Sequence, residues 1–95
     1  MPNASKRLIK RIELGEHVVA DPAICDGVPT FKGTRIMVWQ VLDALGRGES
    51  WDDIEKDWAG RVSKPAIAEA LRLAREALLD SQGRLLRPNS RRLAA

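Results

Sequence analysis

The chain has 95 residues, of which 44% are hydrophobic, and its formal net charge is +3. This length fits one domain with a modest core and leaves no room for a second. Its single cysteine, Cys25, excludes an internal disulfide, and the absence of cysteine or histidine companions at ligand spacing excludes a zinc site. With no apolar run long enough for a secretion signal or a membrane span, we expect a cytoplasmic protein.

The positive charge is concentrated at the two ends of the chain. Residues 1–16 carry four basic and two acidic side chains, and residues 81–95 carry four arginines and no acid. Between them, residues 17–80 carry eight basic against eleven acidic side chains. We therefore interpret the two ends as basic arms that flank one domain at 17–80. Such arms suit nucleic-acid phosphates or an acidic partner, and they equally suit solvated tails that favour solubility.

The first part of the domain predicts short β-strands. The run His17-Val18-Val19-Ala20 is β-branched in its middle and stops at Asp21-Pro22, which is typical of a strand ended by a turn. A second turn at Asp26-Gly27 precedes a further β-type run at residues 29–31, so we expect a hairpin. The mixture of apolar and charged residues at 8–14 is compatible with another short strand.

Two helices are predicted next. From Val38 to Leu45 apolar residues recur at helical spacing, and Gly46 ends this first helix. Ser50, with Asp53 three residues later, forms a capping pair that begins a short second helix. The second helix is expected to stop before the glycine at position 60.

The third helix is the longest predicted element. Ser63 suits its N-cap, Pro65 fits its first turn, and an apolar stripe extends from Ile67 to Leu78. The second helix, a turn at residues 59–62 and the third helix have the proportions of a helix-turn-helix. The sequence therefore predicts a mainly α fold, with short N-terminal β strands or a hairpin followed by a three-helix, helix-turn-helix-like bundle of homeodomain type.

If this motif binds DNA, the third helix is the reading helix. Its N-terminal, solvent-facing residues would approach base edges, while neighbouring cations would approach phosphates. The candidate DNA-binding residues are Lys56, Arg61, Ser63, Lys64, Glu69 and Arg72. The alternative is plain three-helix packing, in which these side chains form a solvated face and Arg72 pairs with Glu76 one turn later.

Two further residues are candidates for contact with a partner or a second copy. Arg35 follows a Gly-Thr turn, where its guanidinium suits a phosphate or a partner carboxylate, or alternatively pins the turn by donating to backbone carbonyls. Trp39 lies off the apolar face of the first helix, so it is a candidate anchor, with lateral packing on the core as the alternative. Trp51 and Trp58 match the inward stripe of the second helix and are expected in the core.

No catalytic constellation emerges from the sequence. His17 is the only histidine, and nothing is placed to orient Cys25 as a nucleophile. The acidic residues at 52–57 are typical of a helix start and a solvated face rather than of a metal site. There is no P-loop and no glycine motif for a dinucleotide. We therefore expect a protein that is not an enzyme and that uses no metal or cofactor.

An ordered set of motifs resembles one protein family. The motifs are Val19-Ala20-Asp21-Pro22, Cys25-Asp26-Gly27-Val28-Pro29, Lys32-Gly33-Thr34-Arg35-Ile36 and Gly48-Glu49-Ser50. Over about residues 17–80 they resemble the small antitoxin-like (VapB-type) family catalogued as domain of unknown function 433. The chain departs from the family's pattern at Asp26, where a glycine is common, and at Met37, where a proline more often precedes the valine.

The resemblance implies a helix-turn-helix-like fold after a short β element. It further implies an antitoxin of a type II toxin-antitoxin pair, which neutralises a PIN-like ribonuclease toxin. As a homodimer, such an antitoxin binds operator DNA and represses its own operon. The alternative function is a protein-interaction adaptor, in which the three-helix unit and Trp39 dock a partner and no nucleic acid is bound.

Overall fold

A small antiparallel sheet precedes three helices in the computed structural model, which describes residues 10–86. The elements are β1 (Ile12–Glu13), β2 (Val18–Ala20), β3 (Thr30–Phe31), α1 (Val38–Gly46), α2 (Trp51–Asp57) and α3 (Lys64–Leu78). The predicted fold class, mainly helical with short β-strands at the N-terminal side, is confirmed.

β2 is the central strand of the sheet. It pairs antiparallel with β1 and with β3, so that Val18 lies opposite Phe31. All three of its residues are buried, because the strand has a neighbour on each side and helices over one face. The predicted hairpin forms between β2 and β3, but its connection extends over residues 21–29 and contains a short 3₁₀ turn at Cys25–Gly27. Within that turn Asp26 is left-handed, with φ of 60°, a conformation that glycine adopts most easily and that Asp tolerates better than most residues.

Parts of both predicted arms belong to ordered elements. β1 lies inside residues 1–16 and pairs with the sheet. After α3, Leu79 and Leu85 form an antiparallel bridge, and between them the Asp80 carboxylate accepts the backbone N–H groups of Gln82 and Arg84. These hydrogen bonds lower the pKa of the Asp80 carboxyl, the one from Arg84 most of all. The remaining residues of the predicted arms, 1–9 and 87–95, lie outside the described residues.

The predicted helix starts are confirmed in their hydrogen bonds. The Ser50 hydroxyl oxygen accepts the N–H of Asp53 at 3.1 Å and begins α2. α1 begins differently: the side-chain oxygen of Gln40 accepts the N–H of Met37 at 2.9 Å, a cap that the sequence pattern did not predict. At the start of each helix, a side-chain oxygen therefore accepts a hydrogen bond from a backbone N–H group that would otherwise have no partner.

One hydrophobic cluster joins the sheet to all three helices. Its most buried members are Val18 and Phe31 from the sheet, Val41 and Ala44 from α1, Ile54 from α2, Val62 from the turn before α3, and Ile67 and Ala70 from α3. Trp58 is half-buried against this cluster, so its predicted core position is met only in part. The core prediction for Trp51 is wrong: its side chain is 37% exposed, because the two-turn helix α2 buries only its central residue, Ile54.

None of the helices within residues 10–86 is both long and apolar enough to cross a membrane.

Candidate nucleic-acid interface

The turn between α2 and α3 reverses the chain with two left-handed residues. Ala59 has a φ of 53° and Gly60 a φ of 77°. The N–H of Gly60 donates to the carbonyl of Glu55 at 2.8 Å, and the N–H of Arg61 donates to the carbonyl of Trp58 at 2.9 Å. These bonds fix the turn and deliver Ser63 to the start of α3. The two helices contact each other directly, in the order and with the short connection of a helix-turn-helix.

α3 buries one face in the core and exposes the rest of its surface to solvent. Ile67 and Ala70 are fully buried. One exposed row, which we name the α3 stripe, follows the helix at spacings of three and four and consists of Lys64, Ala68, Arg72 and Arg75. Two predicted DNA-binding residues, Lys64 and Arg72, are therefore aligned on one open surface.

Two cations of the α3 stripe, Lys64 and Arg72, are paired with acids. Lys64 Nζ contacts Asp52 Oδ1 at 2.5 Å, and Arg72 Nη1 contacts Glu76 Oε2 at 3.3 Å. The ion pair with Asp52 raises the pKa of Lys64 and lowers the pKa of Asp52. Because such exposed pairs contribute little to stability, a nucleic-acid phosphate is able to replace these carboxylates as the partner of either cation.

Lys56 and Arg61 lie on different sides of the turn. Lys56 is exposed on α2 in an open groove that also contains the acids Asp52 and Glu55. Arg61 is exposed in a second groove, where its neighbour is Arg35 rather than Lys56. We predicted that Lys56 and Arg61 would both approach phosphate. The structure places them in two different grooves.

Ser63 acts as the N-cap of α3. Its hydroxyl oxygen accepts the N–H of Ala66 at 3.3 Å, and its side chain is half-buried. This hydrogen bond explains a serine at this position without any contact to DNA. Because Ser63 lies at the start of α3, capping and DNA contact are tested separately by the substitution below.

Replacement of Ser63 by alanine is expected to cost about 1 kcal/mol of the free energy of unfolding, because the N–H of Ala66 loses its acceptor. Urea unfolding followed by circular dichroism measures this loss. Ser81→Ala is the matched control, since Ser81 is exposed beyond the end of α3. Unchanged stability combined with weaker DNA binding would instead assign the hydroxyl to a nucleic-acid contact.

Glu69 does not lie on the solvent-facing side of α3, so its predicted exposed position is wrong and its burial argues against a DNA contact. Its side chain is only 7% exposed. Oε1 accepts the N–H of Glu16 at 3.0 Å, and Oε2 accepts the N–H of His17 at 2.8 Å. The loop between β1 and β2 covers this part of α3, so the carboxylate connects the helix to the sheet and is not available to a base edge.

Arg35 projects from a turn that another residue holds in place. The Thr34 hydroxyl donates to the carbonyl of Phe31 at 2.8 Å and accepts the N–H of Ile36 at 2.9 Å. The guanidinium of Arg35 forms no hydrogen bond and no ion pair with residues 10–86, so it does not pin the turn. It is left exposed for an external partner.

Trp39 is 55% exposed, in agreement with its position off the apolar face of α1. Its indole N–H donates to the sulfur of Met37 at 3.4 Å. Lateral packing on the core is therefore at most partial, and the ring remains available as a contact surface. The role of Trp39 in binding a partner or a second copy stays a prediction.

An apolar groove of about 310 Å³ was missed by the sequence reasoning. It lies where the sheet, α1 and α3 meet, and its lining includes Leu14, Leu42 and Leu73 together with the small residues Ala74 and Ala77. The signal in the sequence was the pair of alanines on α3, which leave space beside the longer side chains. Periodicity alone does not show which neighbouring elements border such a space.

Metal binding finds no support in the part of the chain that the structure describes, where no three histidine, cysteine or carboxylate side chains are grouped closely enough to hold an ion. The acidic residues of α2 serve other purposes. Asp53 lies in the first turn, where carboxylates are favoured, and Asp57 has its pKa raised by desolvation and by the neighbouring Glu49.

Comparison with curated proteins and with solved structures gave no match. A protein-family model does match residues 18–74, which is more than half of the chain and includes β2, β3, all of α1 and α2, and most of α3. The matched segment contains the Lys32 to Ile36 motif, the turn between α2 and α3, and the α3 stripe up to Arg72. The chain therefore belongs to the family described as protein of unknown function (DUF433).

Proposed function

We propose that this protein is a cytoplasmic, antitoxin-like DNA-binding regulator that acts without catalysis. In this proposal it neutralises a PIN-like ribonuclease toxin of a type II pair and, as a homodimer, represses its own operon. The observation that carries the DNA half is the α3 stripe, an open row of residues on the second helix of a helix-turn-helix. The antitoxin half rests on the motif resemblance given above.

The charges of the motif favour a nucleic-acid backbone as its ligand. Lys64, Arg72 and Arg75 project from the exposed side of α3, and Arg61 projects from the turn before it. Cations in such positions fix a reading helix in the major groove by contacting phosphates, while short side chains such as Ala68 permit close approach to base edges.

The second candidate function is a protein-interaction adaptor, and two observations favour it. Trp39 presents a large aromatic surface to solvent, and an apolar groove is open between the sheet, α1 and α3. In the antitoxin proposal these same features would serve the toxin or the second copy of the chain. The two functions therefore differ in whether the α3 stripe binds DNA.

The double substitution Lys64→Ala with Arg72→Ala tests the DNA half. We expect at least tenfold weaker binding to a duplex that covers the region directly upstream of the coding sequence. If each cation neutralises one phosphate, the slope of log affinity against log salt becomes shallower by about 1.8. Fluorescence anisotropy at several salt concentrations measures both quantities.

The matched control is Lys32→Ala with Arg47→Ala. It removes the same two charges from cations that are also ion-paired, Lys32 with Glu13 and Arg47 with Asp43 and Glu49, but that are not part of α3. We expect the control to bind DNA nearly as the wild type does. Equal binding by both double variants, or a wild-type affinity that is independent of salt, would contradict the proposal and favour the adaptor.

A further inference from the structure

Arg35 and Arg61 share one open groove although 26 positions separate them in the sequence. The groove measures about 380 Å³ and is bordered by Ile24, the Gly33-Thr34 turn and the two arginines. Arg35 comes from the turn before α1, and Arg61 comes from the turn of the helix-turn-helix. The fold thus places two guanidinium-bearing side chains in one concavity whose lining contains no carboxylate.

The electrostatic state of these two arginines differs from that of the other cations. Among residues 10–86, six basic side chains form ion pairs with carboxylates, namely Arg11, Lys32, Arg47, Lys64, Arg72 and Arg84. Neither Arg35 nor Arg61 forms an ion pair with any residue from 10 to 86.

Three other cations also have no ion pair in this part of the chain, namely Lys10, Lys56 and Arg75, and the last two stand beside acids. Lys56 shares its groove with Asp52 and Glu55, and Arg75 shares one with Glu76 and Asp80. The positive charge of the Arg35–Arg61 groove has no such compensation in its lining. An anion is therefore the ligand that this groove favours most strongly.

The backbone that carries the two arginines is held in place from several sides. Thr34 closes the first turn through its two hydroxyl hydrogen bonds, and the Cys25 thiol donates to the carbonyl of Arg35 at 3.6 Å. Gly33 supplies the left-handed residue of this turn, with φ of 76°. In the turn before α3, the N–H of Arg61 donates to the carbonyl of Trp58, and the next residue, Val62, is fully buried. Because the backbone of both turns is already fixed, ligand binding loses little free energy to ordering it.

We propose that the Arg35–Arg61 groove is a binding site for a phosphate group. Each guanidinium presents a planar set of N–H donors that matches two phosphate oxygens, and the lining of this groove contains two arginines to supply such donors and their charge. The source is either a backbone phosphate of bound nucleic acid or a free phosphate. Assignment of the phosphate to bound nucleic acid rests on the function proposed above. The existence of the phosphate site does not depend on that function.

If the source is nucleic acid, the site adds a contact at the flank of the reading helix. Arg61 lies two residues before the N-cap Ser63, so a phosphate held here lies beside the start of α3. Such a contact carries no sequence information, but it fixes the orientation of the helix-turn-helix on the duplex.

A titration of the full chain with inorganic phosphate tests the site directly. Backbone amide shifts of residues 33–35 and 61 are followed by NMR, with sodium chloride at matched ionic strength as the reference. We expect phosphate, and not chloride, to shift these amides. Arg35→Ala or Arg61→Ala should raise the apparent Kd for phosphate at least tenfold, and the double variant should abolish the response. Arg47→Ala, which removes an ion-paired arginine from the end of α1, should leave it unchanged.

The second arm measures DNA binding of the Arg35→Ala, Arg61→Ala double variant. A loss of about tenfold on the upstream duplex and on an unrelated duplex alike assigns the site to backbone phosphate. Unchanged DNA affinity with a phosphate response that depends on both arginines supports the site and assigns it to a free phosphate. The proposed DNA function is then decided separately by the Lys64 and Arg72 variants. If phosphate shifts the wild-type amides no more than chloride does, or shifts the double variant equally, the site is overturned.

Discussion

Replacement of Glu69 by alanine is expected to destabilise the protein by about 3 kcal/mol, because two partly buried backbone N–H groups lose a charged acceptor. The N–H groups of Glu16 and His17 would then have no protein acceptor in place of the Glu69 carboxylate. Since the stability of a domain of this size is about 5–14 kcal/mol, the loss is a large fraction of the total. Chemical denaturation at neutral pH measures it.

Glu76→Ala is the matched control for this substitution. It makes the same chemical change two turns further along α3, at an exposed residue whose carboxylate pairs, within residues 10–86, only with Arg72. We expect its effect to stay within about 0.5 kcal/mol. A similar small effect at Glu69 would show that its two hydrogen bonds do not stabilise the fold.

Gly15 provides an independent test of the same contact. A Cβ built at Gly15 would lie 2.4 Å from Oε2 and 2.5 Å from Cδ of Glu69, so Gly15→Ala forces the carboxylate away from its two N–H partners. The substitution should be strongly destabilising in the wild type and nearly neutral in the Glu69→Ala background. Equal costs in the two backgrounds would mean that Gly15 is required for another reason.

Replacement of Ile67 by alanine should have the largest effect of the substitutions considered, about 4 kcal/mol. Ile67 is 0% exposed and lies in the cluster that joins the helices to the sheet, so its truncation leaves a cavity that close-packed neighbours fill only in part. Denaturant unfolding with an unchanged m-value would identify the effect as a loss of native stability.

Leu71→Ala is the matched comparison, one turn away on the same helix. Both residues belong to the apolar stripe predicted from the sequence, but Leu71 is 41% exposed. We expect its truncation to cost less than about 1 kcal/mol. Comparable losses at the two positions would indicate that the exposed side of α3 is covered, for example by a second copy of the chain, and a concentration-dependent Tm would then follow.

The local signals of this sequence predicted its elements well. Ser50 and Ser63 both cap the helices that they were expected to begin, and α3 ends at Leu78, the last residue of the predicted apolar stripe. Capping and periodicity involve residues within four positions of each other, so a single sequence contains all the information that they need.

The errors arose where burial depends on distant parts of the chain. Glu69 occupies a position on α3 that a polar pattern assigns to solvent, but the loop at residues 15–17, more than 50 positions earlier, covers it. Trp51 follows the apolar pattern of α2, yet a helix of two turns is too short to bury its first residue. The juxtaposition of Arg35 and Arg61 has the same origin, since two turns far apart in sequence are brought together only by the packing of the core.

The contact of Glu69 with the loop before β2 also bears on where the smallest stable fragment begins. The family match starts at residue 18, but both N–H groups that Glu69 accepts belong to residues that precede it, Glu16 and His17. A fragment cut at the start of the match would contain the carboxylate and omit its partners, together with the strand β1. The folding unit therefore extends upstream of the family match, at least to Ile12. Residues near the N-terminal side of the sheet thus provide the N–H groups that the buried carboxylate of α3 binds.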